Sequence, residues 1–385
     1  MPLPGPRRRR FVATFQHICA LDNGPIFVYP LQIDCCLLPY TSAQAPLPSM
    51  KTQNWSARLA PYKTADNVRA ISEFFLTAVP LALMWVTIAW LFNTGSLLAI
   101  LAGIAIMIPA AGFLVRLFIL QHDCGHGSLF SSRAANDWVG RVLGVFTYTP
   151  YDYWRKQHAG HHATSGNLDG RGMGDIDTMT VSEYKSQNAW GRFRYRLYRH
   201  PLVMFGMGPA YVFLLEHRLP LATKPHDRSL WAGIIATNIG ILLVSWLLVM
   251  AFGLTTFLLV QLPLVVLSGS IGVWLFYVQH QFDETYWDVK PAWTHEHAAL
   301  HGSSYYDLPK PLMWLTGNIG IHHVHHLSSK IPFHKLPKVI NAHPELKSLG
   351  RLTALDSLKC VRLTLWDEHA QRLISFREAR PLLAG

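Results

Sequence analysis

Residues 96–126 read SLLAILAGIAIMIPAAGFLVRLFILQHDCGH, an apolar run that ends in two histidines four positions apart. The run over residues 96–120 is long enough to cross a bilayer, because a helical span needs roughly 20 residues. His122 and His126 follow it directly, and residues four apart share one face of a helix. The stretch therefore predicts a membrane helix that carries two imidazoles at its end.

Three further apolar runs occupy residues 71–92, 230–252 and 254–278. Only residues 93–95 separate the first two runs and only Gly253 separates the last two, so each pair is expected to form a helical hairpin. Basic residues lie outside the hairpins, at residues 51–69 and 192–224, and neither turn carries Lys or Arg. This bias predicts that both termini and the middle loop are cytoplasmic. Arg116, near the end of its run, could snorkel to the interface.

The composition agrees with this interpretation. Half of the 385 residues are apolar and 15% are charged, whereas about 25% are charged in soluble domains. The net charge of +11 fits the cytoplasmic bias of membrane proteins, and no basic stripe with interleaved aromatics indicates a nucleic-acid partner. The five cysteines are odd in number and lack a regular spacing, so no disulfide framework is expected.

The chain divides into three regions. Residues 1–49 are interpreted as an N-terminal arm, either disordered or an upstream extension, with Met50 as the natural start. Residues 50–345 carry the apolar runs and the histidines, and residues 346–385 read as a C-terminal cytoplasmic tail. The expected fold is an all-α polytopic membrane protein, with four transmembrane helices in two hairpins and a cytoplasmic helical cap that holds a di-metal site.

Histidines supply the candidate site. They form three clusters, in which members three or four residues apart can point the same way on a helix: His122 and His126; His158, His161 and His162; His322, His325 and His326. Eight neutral imidazoles exceed the four ligands of a tetrahedral zinc and suit two metals. His323 breaks the pattern and is expected to face away, and His295, His297 and His301 are interpreted as a looser structural group.

The motifs around these clusters resemble those of membrane-bound fatty acid desaturases, above all the bacterial acyl-lipid type. The matching segments are HDCGHG (122–127), WRKQHAGHHATSGNLD (154–169), FYVQHQF (276–282), GSSYYDLP (302–309) and GNIGIHHVHHL (317–327). The resemblance covers roughly residues 55–345, and together its motifs are highly specific.

The resemblance implies an enzyme that uses O2 to introduce a cis double bond into acyl chains of membrane lipids. It implies two non-haem iron ions at the cytoplasmic face of what is expected to be the bacterial inner membrane. The eight clustered histidines would be ligands, and His280 matches a ninth. Two electrons would come from a separate protein, since no cytochrome b5, flavin or nicotinamide motif is found in the sequence, and the resemblance implies ferredoxin or flavodoxin as the donor. Arg155 and Lys156 belong to a basic surface that could steer it.

Other side chains are expected around the metals. Asp123, Asp169 and Asn318 are candidates for holding the ligands or a metal-bound water, as are Asp175 and Asp177. Trp154, Tyr305 and Tyr306 are candidates for lining the acyl slot, although interfacial aromatics would look the same.

Three other functions compete with this interpretation, and the sequence argues against two of them. A related di-iron hydroxylase or ketolase acting on alkanes or carotenoids would use the same metal centre. A metal transporter or a membrane haem protein would need histidines inside the spans, and the four apolar runs contain none.

Overall fold

The structure is a computed structural model that describes residues 54–172, 174–219 and 227–384. The arm expected at residues 1–49 lies outside the described residues. The helices in chain order are α1 (Trp55–Leu59), α2 (Asn67–Asn93), α3 (Leu97–His126), α4 (Arg133–Phe146), α5 (Tyr151–Thr164), α6 (Val181–Ser186), α7 (Ala189–Tyr198), α8 (Gly208–Tyr211), α9 (Arg228–Phe252), α10 (Leu254–His280), α11 (His295–His301), α12 (Lys310–Leu315), α13 (His322–Leu327), α14 (Leu336–Ala342), α15 (Ala354–Cys360) and α16 (Arg380–Ala384). The strands are β1 (Tyr305–Asp307), β2 (Arg351–Thr353), β3 (Leu365–Asp367) and β4 (Arg372–Ile374).

Helices α2, α3, α9 and α10 are long and apolar enough to cross a membrane, which confirms the four apolar runs. Their local sequence explains where they begin and end. The Asp66 side chain accepts a hydrogen bond from the Arg69 amide at the start of α2. Helix α3 is capped by Gly127, which follows His126 and whose φ of 63° is left-handed and suits glycine. Helices α2 and α3 pack against each other, α9 contacts α10, and α3 also packs on α10.

The long helices extend further than the apolar runs. Helix α3 continues to His126 rather than ending at residue 120, and α10 continues to His280 rather than to residue 278. The backbone hydrogen bonds of both helices therefore continue through the polar residues that follow each apolar run, because these bonds do not require apolar side chains. As a result, His122, His126 and His280 are held by rigid helix ends rather than by loops.

Four short strands correct the expectation of an all-α chain. Strand β1 pairs in parallel with β2, with Tyr305 opposite Arg351, and β3 pairs antiparallel with β4. Each strand has only three residues, too few to show a period in the sequence. The strands β2, β3 and β4 belong to the region expected as a tail, and Trp366 in β3 is 1% exposed. These residues therefore pack as part of the folded protein.

Arg116 does not snorkel to the interface. It is 1% exposed and forms an ion pair with Glu73 of α2, which is equally buried. Its guanidinium also donates to the Thr77 hydroxyl at 3.2 Å and lies 4.0 Å from the centroid of the Trp314 ring. A buried charge is stable only with such partners, so Arg116 ties α2 and α3 to the segment around α12.

Candidate metal centre

Four helices bring nine histidines together at one place. The ends of α3 and α10 supply three rings, and the short helices α5 and α13 supply six. The ligand nitrogens fall into two groups, and within each group they lie within 4.8 Å of one another. The five-histidine group consists of His122, His126, His158, His162 and His325; the four-histidine group consists of His161, His280, His322 and His326.

The Nε2 atoms of the four-histidine group form a closed square. The His161 Nε2 lies 3.1 Å from that of His280 and 3.2 Å from that of His326. The His322 Nε2 completes the figure at 3.0 Å from His280 and 3.1 Å from His326. All four side chains are buried. Each ring therefore directs the same atom toward one enclosed point.

The five-histidine group has a similar spacing but is less enclosed. Its Nε2 atoms follow one another from His122 to His126 at 3.3 Å, to His158 at 3.0 Å, and to His162 at 3.1 Å. His325 lies 3.1 Å beyond His162. His126, His158 and His162 are only half-buried. This group therefore lies nearer the solvent than the other.

The outer nitrogens of several rings have partners of their own. The Nδ1 atom of His122 lies 3.1 Å from the Asp123 carboxylate, and that of His161 lies against the Asp175 carboxylate. The Nδ1 atom of His280 lies 3.2 Å from the carbonyl oxygen of Gly302. These acceptors place the ring proton on Nδ1, which leaves the Nε2 lone pair free to face the centre of its group.

Burial keeps these rings neutral. It lowers the pKa of His158, His162, His322, His325 and His326 well below the ordinary histidine value, and the neighbouring rings lower it further. Desolvation disfavours the charged form, as does the approach of a second positive ring. A neutral imidazole is the form that ligates a metal.

The geometry fits a metal ion in each group. Unprotonated nitrogens about 3 Å apart repel one another unless a cation lies between them. With metal–nitrogen bonds of about 2.0–2.1 Å, nitrogens at adjacent corners of a square lie about 3 Å apart. The measured edges of 3.0 to 3.2 Å in the four-histidine group match that spacing. The residues present can thus hold two metals, one with four nitrogen donors and one with five.

The other polar candidates occupy different positions. Asp123 contacts His122 and also accepts the Phe333 amide at 2.7 Å, and Asp175 contacts His161. Asp169 instead accepts the backbone amide of Lys290 at 3.1 Å. Asn318 lies in the loop before α13, with a left-handed φ of 54°. Of the carboxylates considered, Asp123 and Asp175 are therefore the two that contact rings of the groups.

The aromatic candidates also separate. Trp154 stacks on His158, with ring centroids 4.6 Å apart and planes 17° apart. Tyr305 donates to the Asp307 carboxylate at 3.1 Å, and the Tyr306 hydroxyl lies 3.0 Å from that of Ser357. Trp154 thus lies against the metal centre, whereas both tyrosines are engaged with polar side chains elsewhere.

Phe276 was not among the sequence candidates. Its ring centroid lies 5.0 Å from that of His161 and 5.1 Å from that of His280. The signal was its position four residues before His280 on one apolar helix, which places both on one face. Phe276 therefore covers the four-histidine group from the side of α10.

The remaining histidines near the centre stay outside both groups. His323 is fully buried, and its Nε2 lies 2.9 Å from the carbonyl oxygen of Leu346. His297 and His301 lie against each other at 4.4 Å, with Tyr286 beside His297. Burial lowers the pKa of His301 to about 4. The contacts of these three histidines are with the backbone or with rings outside both groups.

Most of the basic side chains expected to form a steering surface have internal partners. Arg155 pairs with Asp137 at 2.7 Å and Lys156 with Asp227 at 2.8 Å. Arg199 is 4% exposed and donates to the Tyr277 hydroxyl at 3.0 Å. These contacts join neighbouring segments of the chain, while the Lys156 side chain stays 60% exposed.

Fold and site together define a class of protein: a bundle of apolar, membrane-length helices whose ends and connecting helices carry two polyhistidine groups that could each hold a metal. A sequence model of the family described as fatty acid desaturase matches residues 96–350. The chain is 42% identical over 327 residues to a fatty acid desaturase of Bacillus subtilis (strain 168), covering 85% of this chain and 91% of that protein. The chain belongs to the fatty acid desaturase family, whose members are oxidoreductases.

More distant relatives carry more specific names. The chain is 28% identical over 247 residues to an sn-1 acyl-lipid omega-3 desaturase (ferredoxin) of Synechocystis sp., covering 59% of this chain and 63% of that protein. It is 27% identical over 242 residues to an omega-3 fatty acid desaturase of the endoplasmic reticulum from Vigna radiata, covering 59% and 61%. Those alignments span less than two thirds of the relatives' own length.

Proposed function

We propose that the protein is an O2-dependent desaturase that introduces a cis double bond into acyl chains of membrane lipids at a di-iron centre. The observation that carries the proposal is the convergence of nine histidine side chains into two groups with metal-ligand spacing, within a chain of the desaturase family. The ligands proposed are the members of the five-histidine and four-histidine groups.

Iron is proposed because imidazole nitrogens suit iron and because the reaction of the family removes hydrogen from saturated carbon. Bound iron would supply the activation of O2 that attack on such a carbon requires. In the balanced reaction a –CH2–CH2– unit loses two hydrogens. O2 takes these together with two electrons and two protons, and it leaves as two molecules of water.

The chain's own residues contribute position and exclusion of water. Asp123 and Asp175 hold the outer nitrogens of His122 and His161, so the tautomer and the direction of each ring are fixed. The four-histidine group is completely buried, and the Phe276 ring covers one side of it. A reactive centre shielded in this way is protected from side reactions with solvent.

The two electrons are proposed to come from a separate ferredoxin or flavodoxin. The Synechocystis relative is named as a ferredoxin enzyme, which supports this class of donor. We further propose that α2, α3, α9 and α10 lie in the bacterial inner membrane with the histidine groups on the cytoplasmic side. The basic residues between the hairpins, together with turns that lack Lys and Arg, support that orientation.

The direct test is expression of the full chain in a bacterial host without an acyl-lipid desaturase of its own. Lipids would be extracted and new double bonds located by mass spectrometry, and iron would be measured in the purified protein. We expect new cis-unsaturated chains and about two irons per chain, the number that two histidine groups accommodate. His158→Ala should reduce the product, while His295→Ala, at an exposed histidine outside both groups, should leave it unchanged.

Two outcomes would contradict the proposal. Purified protein without iron would exclude the di-iron centre, and full activity of His158→Ala would exclude the five-histidine group as part of the reaction. Hydroxylated or oxidised lipids in place of unsaturated ones would identify the related hydroxylase or ketolase chemistry instead.

A further inference from the structure

A small cavity lies beside the four-histidine group. Its volume is about 10 Å³, and the side chains that line it include those of Asp175, Phe276, His280 and Trp287. A cavity needs roughly 10–15 Å³ to hold one water molecule, so this one has room for a single small molecule. An acyl chain or any other organic ligand is too large for it.

Two buried polar atoms belong to the lining of this cavity and have no protein partner. Within the described residues, neither Oδ2 of Asp175 nor the indole Nε1 of Trp287 has a hydrogen-bond partner. The Asp175 side chain is 6% exposed and Trp287 is 4% exposed. Buried polar groups in folded proteins are nearly always paired, with the protein or with ordered water, because an unpaired one is costly. A ligand in the cavity would therefore complete both atoms.

The chemistry of the two atoms selects the ligand. An indole N–H can only donate a hydrogen bond and a carboxylate oxygen can only accept one, so a molecule between them has to accept and donate. Water does both, whereas dioxygen has no hydrogen to donate. Ser165 also lines the cavity, and its hydroxyl offers a third polar group. Buried waters have two to four such partners, and apolar cavities stay dry.

Trp287 is a fixed donor. The segment that carries it is held by the backbone of the next residue: the Asp288 amide donates to the Gly166 carbonyl at 3.0 Å, and the Asp288 carbonyl accepts the Leu168 amide at 2.8 Å. The Trp287 indole packs in one apolar cluster with Leu168 and Trp366. The direction of its N–H is therefore set by the fold.

Asp175 depends more on its side-chain contacts. It lies between residues 170 and 181, where the described residues form no helix or strand. Its Oδ1 lies against the Nδ1 atom of His161, which is in the four-histidine group. A carboxylate held by one oxygen can rotate away from that ring. A water that joins Oδ2 to Trp287 would hold the second oxygen and prevent the rotation.

We propose that the cavity binds one water molecule, which accepts a hydrogen bond from Trp287 and donates one to Asp175, and that Trp287 is in this way a positioning residue for His161. The water site rests on the cavity and its two polar atoms. The role of Trp287 in metal binding rests on the proposed function, because it takes the four-histidine group as an iron site.

The first test observes the water directly. The full chain in lipid nanodiscs would be imaged by electron cryo-microscopy at a resolution that shows ordered waters. We expect density at hydrogen-bond distance from both Nε1 of Trp287 and Oδ2 of Asp175, about 2.7–3.2 Å from the nitrogen. A wild-type cavity without density, or with a two-atom molecule that contacts neither polar atom, would overturn the proposal.

The second test removes the donor. Trp287→Phe keeps an aromatic ring and loses the N–H. Trp366→Phe is the matched control, because Trp366 is 1% exposed, belongs to the same apolar cluster and does not line the cavity; within the described residues its Nε1 also has no partner. Each protein would be loaded with ferrous iron and titrated with a chelator. Trp287→Phe should release one of two irons at about 2- to 10-fold lower chelator concentration, the effect of losing one hydrogen bond. Trp366→Phe should release both as the wild type does.

A double substitution separates positioning from packing. Asp175→Ala removes both carboxylate oxygens, so Trp287→Phe should cause no further loss of iron in that background, whereas independent packing effects would add. Additive losses, or equal losses in Trp287→Phe and Trp366→Phe, would overturn the positioning role. Wild-type protein that binds no iron would contradict the proposed function, and with it the role of Trp287 in metal binding. The density in the cavity would still decide the water site.

Discussion

The two histidine groups share helices but differ in enclosure. Helices α5 and α13 supply rings to both: the pairs four residues apart go to one group, and the remaining ring goes to the other. On α5 the pair His158 and His162 joins the five-histidine group while His161 joins the four-histidine group, and on α13 the assignment is reversed. The same spacing of histidines along α5 and along α13 thus supplies rings to both groups.

The difference lies in the number of donors and in the surroundings. The four-histidine group is fully buried and takes one ring from α10, whereas the five-histidine group takes two from α3 and has three half-buried rings. One group can lose a nitrogen and still retain four, and the other cannot. This asymmetry makes the two groups separable by mutation.

The largest effect is expected from removal of a single ring in each group. His280→Ala should leave three nitrogens in the four-histidine group and lower the iron content from two to about one per chain. It should reduce desaturation at least about 100-fold, because losing a ligand costs more than the usual 10- to 100-fold effect of losing an outer partner. His126→Ala should leave four nitrogens and retain most of the iron. Iron analysis of the purified variants, with product yield, measures both.

The control for these variants lies between two of the ligands. His323 is buried on α13 but belongs to neither group, and its partner is a backbone carbonyl. His323→Gln should retain both irons even if its stability falls. Equal iron loss from His126→Ala and His280→Ala would show that the two groups bind metal as one unit.

A smaller effect is expected at the two carboxylates. Asp175→Asn weakens the support of His161, and Asp123→Asn weakens that of His122. Loss of such a partner typically costs 10- to 100-fold in metal affinity or activity. Because the four-histidine group has no spare nitrogen, Asp175→Asn should release iron to a chelator at a lower chelator concentration than Asp123→Asn.

Asp169→Asn provides the matched control, since Asp169 accepts a backbone amide and contacts no ring of either group. Its iron retention should equal that of the wild type. If Asp123→Asn proves the more sensitive variant, the five-histidine group depends on its outer partner more than its donor number indicates.

The sequence was sufficient for the features that repeat locally. The apolar runs predicted the four long helices, and the spacing of four residues on α5 and α13 predicted pairs of rings that share a group. The spacing of three did not, because His161 and His325 each lie in the other group from the ring three residues before them. Both signals depend on one helix at a time. The division into two groups did not follow from spacing, because it requires the relative rotation of four helices.

Features that join distant segments were beyond the sequence. Asp175 and Asp169 are acids of one loop, and only the fold turns Asp175 toward His161. The partner of Arg116 is Glu73, 43 residues earlier on the facing helix. Tyr305 of β1 pairs with Arg351 of β2, which lies 46 residues later in the chain. Strands of three residues are too short for their sequences to predict such a long-range pairing.

The smallest effect is expected at Trp154, which stacks on His158 and so supports only the five-histidine group. Stacked aromatic pairs contribute about 0.5–1.5 kcal/mol beyond burial, so Trp154→Leu should weaken metal binding in that group about 2- to 10-fold. Chelator titration should show one of two irons released earlier. Trp190→Leu, which removes a 60% exposed indole stacked on Phe193, should leave both release steps unchanged. Earlier release of both irons in Trp154→Leu would mean that the stacking fixes the shared helix α5, and with it both groups, rather than one ring.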